Sequence, residues 1–183
     1  MTKIAIIIGS TRPGRKGEAV AKWVYEQSKS RTDAQFELVD IEAYNLPLLD
    51  EENVPAMGQY EKEHTKKWAA KIAEFDGYVF VTPEYNHGTS AALKNALDFL
   101  FKEWTNKSCG FVGYGWTGGL RGIEQLRSCV SNLELADVRQ QLDISFIHDY
   151  KDGVLAPGDH KVKALNGVFD QVVSWSNALK PLR

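Results

Sequence analysis

The sequence predicts a doubly wound α/β domain, a five-stranded parallel sheet covered by helices on both faces. Three observations carry that reading. Short apolar runs alternate five times with amphipathic, helix-like stretches. A strand followed by a helix, repeated, implies parallel pairing, because each parallel pair needs a right-handed crossover. With 183 residues, 43% of them hydrophobic, the chain can bury one core without disulfides or metals. No low-complexity tract, internal repeat or Pro/Gly-rich linker divides it, so a single domain over residues 1–183 is expected.

The elements follow in order. "KIAIIIG", residues 3–9, is the first strand, and Val20, Trp23, Val24 and Gln27 lie around the helix behind it. "FELVDI", residues 36–41, is the second, followed by a helical pattern through Trp68 and Ile72. "GYVFVTP", residues 77–83, precedes Leu93, Ala96, Leu97, Leu100 and Phe101 at helical spacing. "CGFVGYG", residues 109–115, precedes Leu120, Ile123, Leu126, Val130 and Leu133 at spacings of three and four. "LDISFI", residues 142–147, is the fifth strand, and the last helix shows Val162, Leu165, Phe169 and Val172 on one face. One connection stands apart: "EAYNLPLLDEENVPAMG", residues 42–58, is too long and too proline-marked for an ordinary turn. Its Leu46, Leu48 and Leu49 would be poorly covered on a lone chain, so this segment is expected to meet a second subunit.

Bulk properties exclude several classes. The 22 basic and 24 acidic side chains are interspersed and sum to −2, which leaves no broad surface for nucleic acid. Cys109 and Cys129 form neither a CxxC nor a Cys/His ligand spacing, so no metal site is expected and the thiols fit a reduced, cytoplasmic protein. "IAIIIG" is too short to span a membrane and lacks a signal-peptide layout.

Ligands of open α/β sheets bind beyond the carboxyl ends of the strands, and three loops there carry chemistry. The first is "GSTRPGRKG", residues 9–17, between strand one and its helix. It lacks the second glycine of a dinucleotide fingerprint, and Arg15 and Lys16 occupy the positions of the lysine and hydroxyl of a Walker A loop. What remains is a nest of backbone N–H groups with Ser10, Thr11, Arg12, Arg15 and Lys16, suited to a terminal monophosphate without metal. The second loop, "TPEYNHGTS", residues 82–90, offers Pro83, Glu84, Tyr85, Asn86 and His87 across the end of the sheet, with a helix starting near Ser90 or Ala91. Its backbone suits the heteroatoms of a flat ring, and no nucleophile or carboxylate is placed to form a triad with His87. The third, "YGWTGGLRG", residues 114–122, combines Gly115, Gly118 and Gly119, which permit close approach, with the aromatic face of Trp116. One elongated ligand with a phosphate at one end and a planar ring at the other fits all three. Flavin mononucleotide has that shape.

Together "GSTRPGR", "TPEYNHG…ALKNALDFL" and "VGYGWTGG" resemble the NADPH-dependent FMN reductase family, a flavodoxin-like group that includes quinone, azo-dye and chromate reductases; the likeness spans most of residues 3–135. It implies phosphate contacts from Ser10, Thr11, Arg12, Arg15, Lys16 and Gly17. It implies ring contacts from Pro83, Glu84, Tyr85, Asn86, His87, Gly115, Trp116, Gly118 and Gly119. It also implies a strand order of 2-1-3-4-5 and a homodimer or homotetramer with active sites near the subunit interface. Family members often carry Pro-Gly where this chain has Ser90-Ala91, which bears on the turn into the third helix. The expected activity is an NAD(P)H-dependent oxidoreductase in which FMN takes a hydride from NADPH or NADH and a quinone, azo compound, metal ion or free flavin then takes the electrons. No side-chain nucleophile is required, so no catalytic side chain is assigned. A flavodoxin-type electron carrier and a flavin-free binding domain on the same fold are the alternatives. Arg121 is the candidate partner for a 2′-phosphate.

Overall fold

Three of the strands are buried along their length, with Lys3 the single exposed residue among them, because helices cover both of their faces. They are β1 (Thr2–Ile8), β3 (Gly77–Pro83) and β4 (Ser108–Gly115). In the computed structural model, which describes residues 1–183, they are flanked by β2 (Ala34–Asp40) and β5 (Ala136–Ser145). All pairs are parallel and the order is β2-β1-β3-β4-β5, the expected flavodoxin-like arrangement. Successive side chains of β1 enter opposite cores, as the two-residue period of a strand requires. Ile4, Ile6 and Ile8 pack with Val20 and Val24 of α1 (Gly17–Ser28) and with Leu165, Phe169 and Val172 of α5 (Asp159–Leu179). Ala5 and Ile7 face the other side, under α2 (Glu63–Ala73), α3 (Ala91–Asp98) and α4 (Leu120–Asn132), with Trp68, Ile72, Leu97 and Leu126. Trp68 is fully buried there and its Nε1 donates to the Ala96 carbonyl at 2.8 Å, so α2 and α3 share one polar contact inside an apolar layer.

Register sets where the functional loops meet. Ile8 lies opposite both Asp40 and Val81, Pro83 opposite Tyr114, and Gly115 opposite Ser145. The loops leaving β1, β3, β4 and β5 therefore start side by side at one edge.

Several boundaries differ from the sequence reading. β5 begins at Ala136, six positions before the apolar run at Leu142, because an edge strand needs only one covered face and exposes Arg139 and Gln140. α3 ends at Asp98, so Leu100 and Phe101 lie beyond it, although Leu100 is buried in the core. A small antiparallel hairpin, β6 (Tyr150–Lys151) and β7 (Val154–Leu155), follows β5 where no element was expected. Within residues 42–58 the leucines divide: Leu46 packs against the core, while Leu48 is 82% and Leu49 41% exposed. The backbone of this segment is fixed from outside. The Asn95 amide donates to Pro47 O at 2.6 Å and its carbonyl accepts from Leu49 N at 3.0 Å. The Glu51 carboxylate accepts from Glu61 N at 2.9 Å and Lys62 N at 3.0 Å, closing the start of α2.

Candidate functional site

The chain leaves β1 through Gly9, whose N–H donates to Val81 O at 2.9 Å. A Cβ here would sit 2.8 Å from that same oxygen and from Leu93 Cδ2, so only glycine fits. Ser10 is buried, and its hydroxyl lies 2.9 Å from the Tyr85 hydroxyl, tying the first loop to the second. The turn that follows, closed by Arg15 N donating to Arg12 O at 3.0 Å, delivers the chain to α1.

Three helices begin beside this edge, and they are treated differently. α3 is capped by Ser90, whose hydroxyl accepts from Leu93 N at 3.0 Å and donates to Gly9 O. That is what the Ser90-Ala91 departure does: it caps the helix and pins the first loop. α4 starts after Gly119 with no cap of its own, but the Glu84 carboxylate accepts from Arg121 N at 3.2 Å and from Arg121 Nε at 2.6 Å. α1 has no side-chain cap at Lys16. Its first-turn N–H groups and the positive end of its dipole are left facing the loop. The Tyr114 hydroxyl approaches that turn so closely that a Cβ on Gly17 would lie 2.4 Å from it, and this buried hydroxyl has no hydrogen-bond partner. Burial pushes the Tyr114 phenol above its ordinary range, which keeps it neutral and able to donate.

Arg12 and Lys16 are exposed and line a cleft of about 600 Å³ that opens from this turn. Thr11 lies to one side, in a smaller hollow of about 280 Å³ against Asn45 and Asn95. Arg15 departs from the expectation of a phosphate contact. Its side chain is only 8% exposed and points away from the cleft, donating to Ser10 O and to both carboxylate oxygens of Asp40, with Glu42 at 2.8 Å. Burial works against this guanidinium's charge, and the bonds and charges of Asp40 and Glu42 outweigh it.

The second loop turns sharply. Tyr85 and Gly88 exchange backbone hydrogen bonds of 2.8 and 2.9 Å around Asn86 and His87, both at positive φ (51° and 68°) and both exposed. The Glu84 side chain, 8% exposed, is committed to Arg121, so any ring contact from this residue comes from its backbone. The same pairing, with Thr117 Oγ1 also accepting from Arg121 at 2.8 Å, occupies the guanidinium considered for a 2′-phosphate. In the third loop Gly118 and Gly119 adopt φ of 78° and 75°, and Cβ atoms there would meet Asp143 Cβ at 2.7 Å and Tyr114 N at 2.5 Å. Trp116 is 71% exposed and meets Phe146 edge-on at 5.8 Å.

Pro83, Glu84, Tyr85, Gly115 and Trp116 therefore share the cleft with Arg12 and Lys16, whereas Asn86 and His87 are exposed and do not line it. Sequence reasoning missed Tyr114, Phe146, Tyr150 and Gly153, which complete the wall. Phe146 and Tyr150 stack edge-on at 5.5 Å, and Tyr150 carries a second buried hydroxyl without a partner. Asp149, 2% exposed, anchors this wall by accepting from Ser145 N at 2.7 Å. An uncapped helix start, two cations free of ion pairs, an orphaned phenol and an aromatic far end are the donor set a phosphorylated flat ring requires, so these residues fit FMN.

Comparison with known proteins agrees. The family model described as NADPH-dependent FMN reductase matches residues 2–149. The chain is 44% identical to an NAD(P)H-dependent FMN reductase of Schizosaccharomyces pombe, over 99% of this chain and 85% of that one. It is 31% identical to an NAD(P)H:quinone oxidoreductase of Solanum tuberosum, over 80% of this chain and 71% of the relative. Among solved structures, the flavoenzyme NAD(P)H:(acceptor) oxidoreductase FerB of Paracoccus denitrificans superposes with a TM-score of 0.77 at 19% identity, covering 97% of this chain and 98% of its own, which shows the shared fold. On the strength of the matched residues and the site they build, the chain belongs to the NADPH-dependent FMN reductase family.

Proposed function

We propose that the protein oxidises NADPH or NADH with FMN held in the cleft and passes the electrons to a quinone, an azo compound, a metal ion or free flavin. The observation that carries this is the uncapped start of α1, flanked by Arg12 and Lys16 and opening onto an aromatic-walled cleft. When bound, FMN supplies the redox chemistry, two-electron uptake from a nicotinamide and release to an acceptor.

The chain's own residues bind, orient and exclude water. Arg12, Lys16 and the N–H groups from Ser10 to Gly17 would hold the phosphate, with the neutral Tyr114 hydroxyl beside them and the Thr11 side chain turned to the neighbouring hollow. The backbone from Pro83 to His87 would meet the edge of the ring, and Gly115, Gly118 and Gly119 would let the third loop lie close to it. Trp116, Phe146 and Tyr150 form an apolar wall on which a nicotinamide or a flat acceptor can stack in turn. Because both substrates use one space, they exclude each other.

Anaerobic mixing with each nicotinamide should bleach bound flavin in one two-electron step without a partner protein, and steady-state plots should give parallel lines. Sluggish reduction by nicotinamide together with intersecting lines would point to an electron carrier. Residues 1–183 work as one unit in this reading, since α5, beyond the family match, packs under β4 and β5. Leu48, Leu49, Val54 and Met57, exposed on a firmly held loop, serve a homodimer interface. Light scattering that shows a fully active monomer at micromolar concentration would remove that part. A cytoplasmic setting suits the two free thiols, and no helix is long and apolar enough to cross a membrane.

A further inference from the structure

We infer that Arg15 is a positioning residue for the cofactor phosphate, bracing the phosphate loop against the end of β2 through Asp40 and Glu42. This rests on the FMN reading above and assigns Arg15 a part in it other than phosphate contact. The guanidinium is sealed between three acceptors. Nη1 donates to Ser10 O at 2.5 Å and to Asp40 Oδ1 at 3.0 Å, and Nη2 donates to Asp40 Oδ2 and pairs with Glu42 Oε2 at 2.8 Å. A fork engaged by both oxygens of one carboxylate is the most directional pairing arginine makes. To reach a phosphate, it would have to break that fork and leave two carboxylates beside an incoming dianion.

The brace acts on the right residue. Ser10 contributes its carbonyl to Arg15 and its hydroxyl to Tyr85, so the first residue of the anion nest is fixed from both ends. Asp40 is fixed as well, because its carboxylate also accepts from Glu42 N at 3.1 Å.

Titration of the flavin-stripped full-length chain with FMN and with riboflavin, followed by quenching of flavin fluorescence, separates the possibilities. Arg15→Ala should raise the Kd for FMN about tenfold or more and leave that for riboflavin within about twofold. Asp40→Asn keeps an oxygen for Glu42 N but puts an NH2 donor where the fork needs a second acceptor, so it breaks the two-oxygen pairing with Arg15 and should also weaken FMN. Adding Asp40→Asn to Arg15→Ala should weaken FMN no further. An Asp40→Asn variant with unchanged or tighter FMN binding overturns the brace, since freeing a direct phosphate ligand from its competitor would do that. Equal losses for FMN and riboflavin in Arg15→Ala overturn it too. If Arg15→Ala does not fold, Asp40→Asn alone decides. Wild-type protein that binds no FMN strikes at the functional reading instead.

Discussion

The two ends of one sheet are built on opposite plans. At the amino end the polar groups are matched. Asp76 accepts from Lys3 N at 2.9 Å and pairs with Arg183 at 3.0 Å, and Lys107, 5% exposed, donates to Ile72 O at 3.1 Å and to the Tyr78 hydroxyl at 2.9 Å. Ser108 likewise donates to Val172 O at 2.8 Å. At the carboxyl end α1 is uncapped, Tyr114 and Tyr150 hold buried hydroxyls without partners, and Trp116 stands in solvent. The amino end nevertheless bears the larger hollow, an open groove of about 910 Å³ against about 600 Å³ for the cleft. Volume is a poor guide here. Unspent hydrogen-bonding capacity distinguishes the end prepared for a ligand from the end that is simply closed.

The comparison is broken most severely by removing the free cations. Each charged hydrogen bond contributes about 1.5–3 kcal/mol, so Arg12→Ala/Lys16→Ala should weaken FMN by about a hundredfold to ten-thousandfold in a fluorescence titration. Riboflavin, without the phosphate, should barely respond, and unchanged FMN affinity would discard the two assignments. At the other end, burial lowers the Lys107 amine to about 8, below its ordinary 10.5. Between those values the unfolded chain binds the proton more tightly than the native one. Stability contributed by Lys107 therefore rises as pH climbs from 8 towards 10, by at most about 3 kcal/mol. Above about pH 10 the buried Tyr78 and Tyr114 phenols, raised by burial, reverse the trend. Chemical denaturation across that range should show the rise in wild type and its absence in Lys107→Met.

Smaller effects sharpen the contrast between capped and uncapped helices. Ser90→Ala removes the cap of α3 and the bond to Gly9 O, at a cost of about 1–2 kcal/mol, or roughly 2–8 °C in the melting midpoint. An unshifted midpoint would show that the cap is dispensable. Smallest of all is Arg121→Ala: its guanidinium is 49% exposed, so stability should change by less than about 1 kcal/mol. Its commitment to Glu84 also means that the KM for NADPH relative to NADH should stay within about threefold, and a larger selective loss would restore a 2′-phosphate contact.

The central fold was readable because strands covered on both faces leave unbroken apolar runs, as in Ile4–Ile8 and Tyr78–Val81. Only the second half of β5 was, because its exposed Arg139 and Gln140 interrupt the apolar run before Leu142. Glycine, arginine and aromatic residues marked three of the loops, yet the fourth contributor was passed over. "FIHDYKDG", residues 146–153, follows the fifth strand at the same edge and holds Asp-Gly, a hairpin signal, beside two aromatic residues. Applying the carboxyl-end rule to every strand would have found Phe146 and Tyr150. Arg15 was beyond such reasoning: nothing local shows that Asp40, twenty-five positions later, closes on its guanidinium.

The turn at Tyr85–Gly88 also governs how this sequence can drift. Asn86 and His87 sit side by side in the left-handed region, where asparagine, aspartate, histidine and glycine are the residues most at ease. Both side chains are exposed, so the backbone, not the chemistry of an imidazole or an amide, selects them. Exchange among those four types at either position should pass nearly unnoticed over generations, while valine or isoleucine, chemically blander, would be purged. The histidine of this turn is then accounted for by geometry, with no need for it to move a proton.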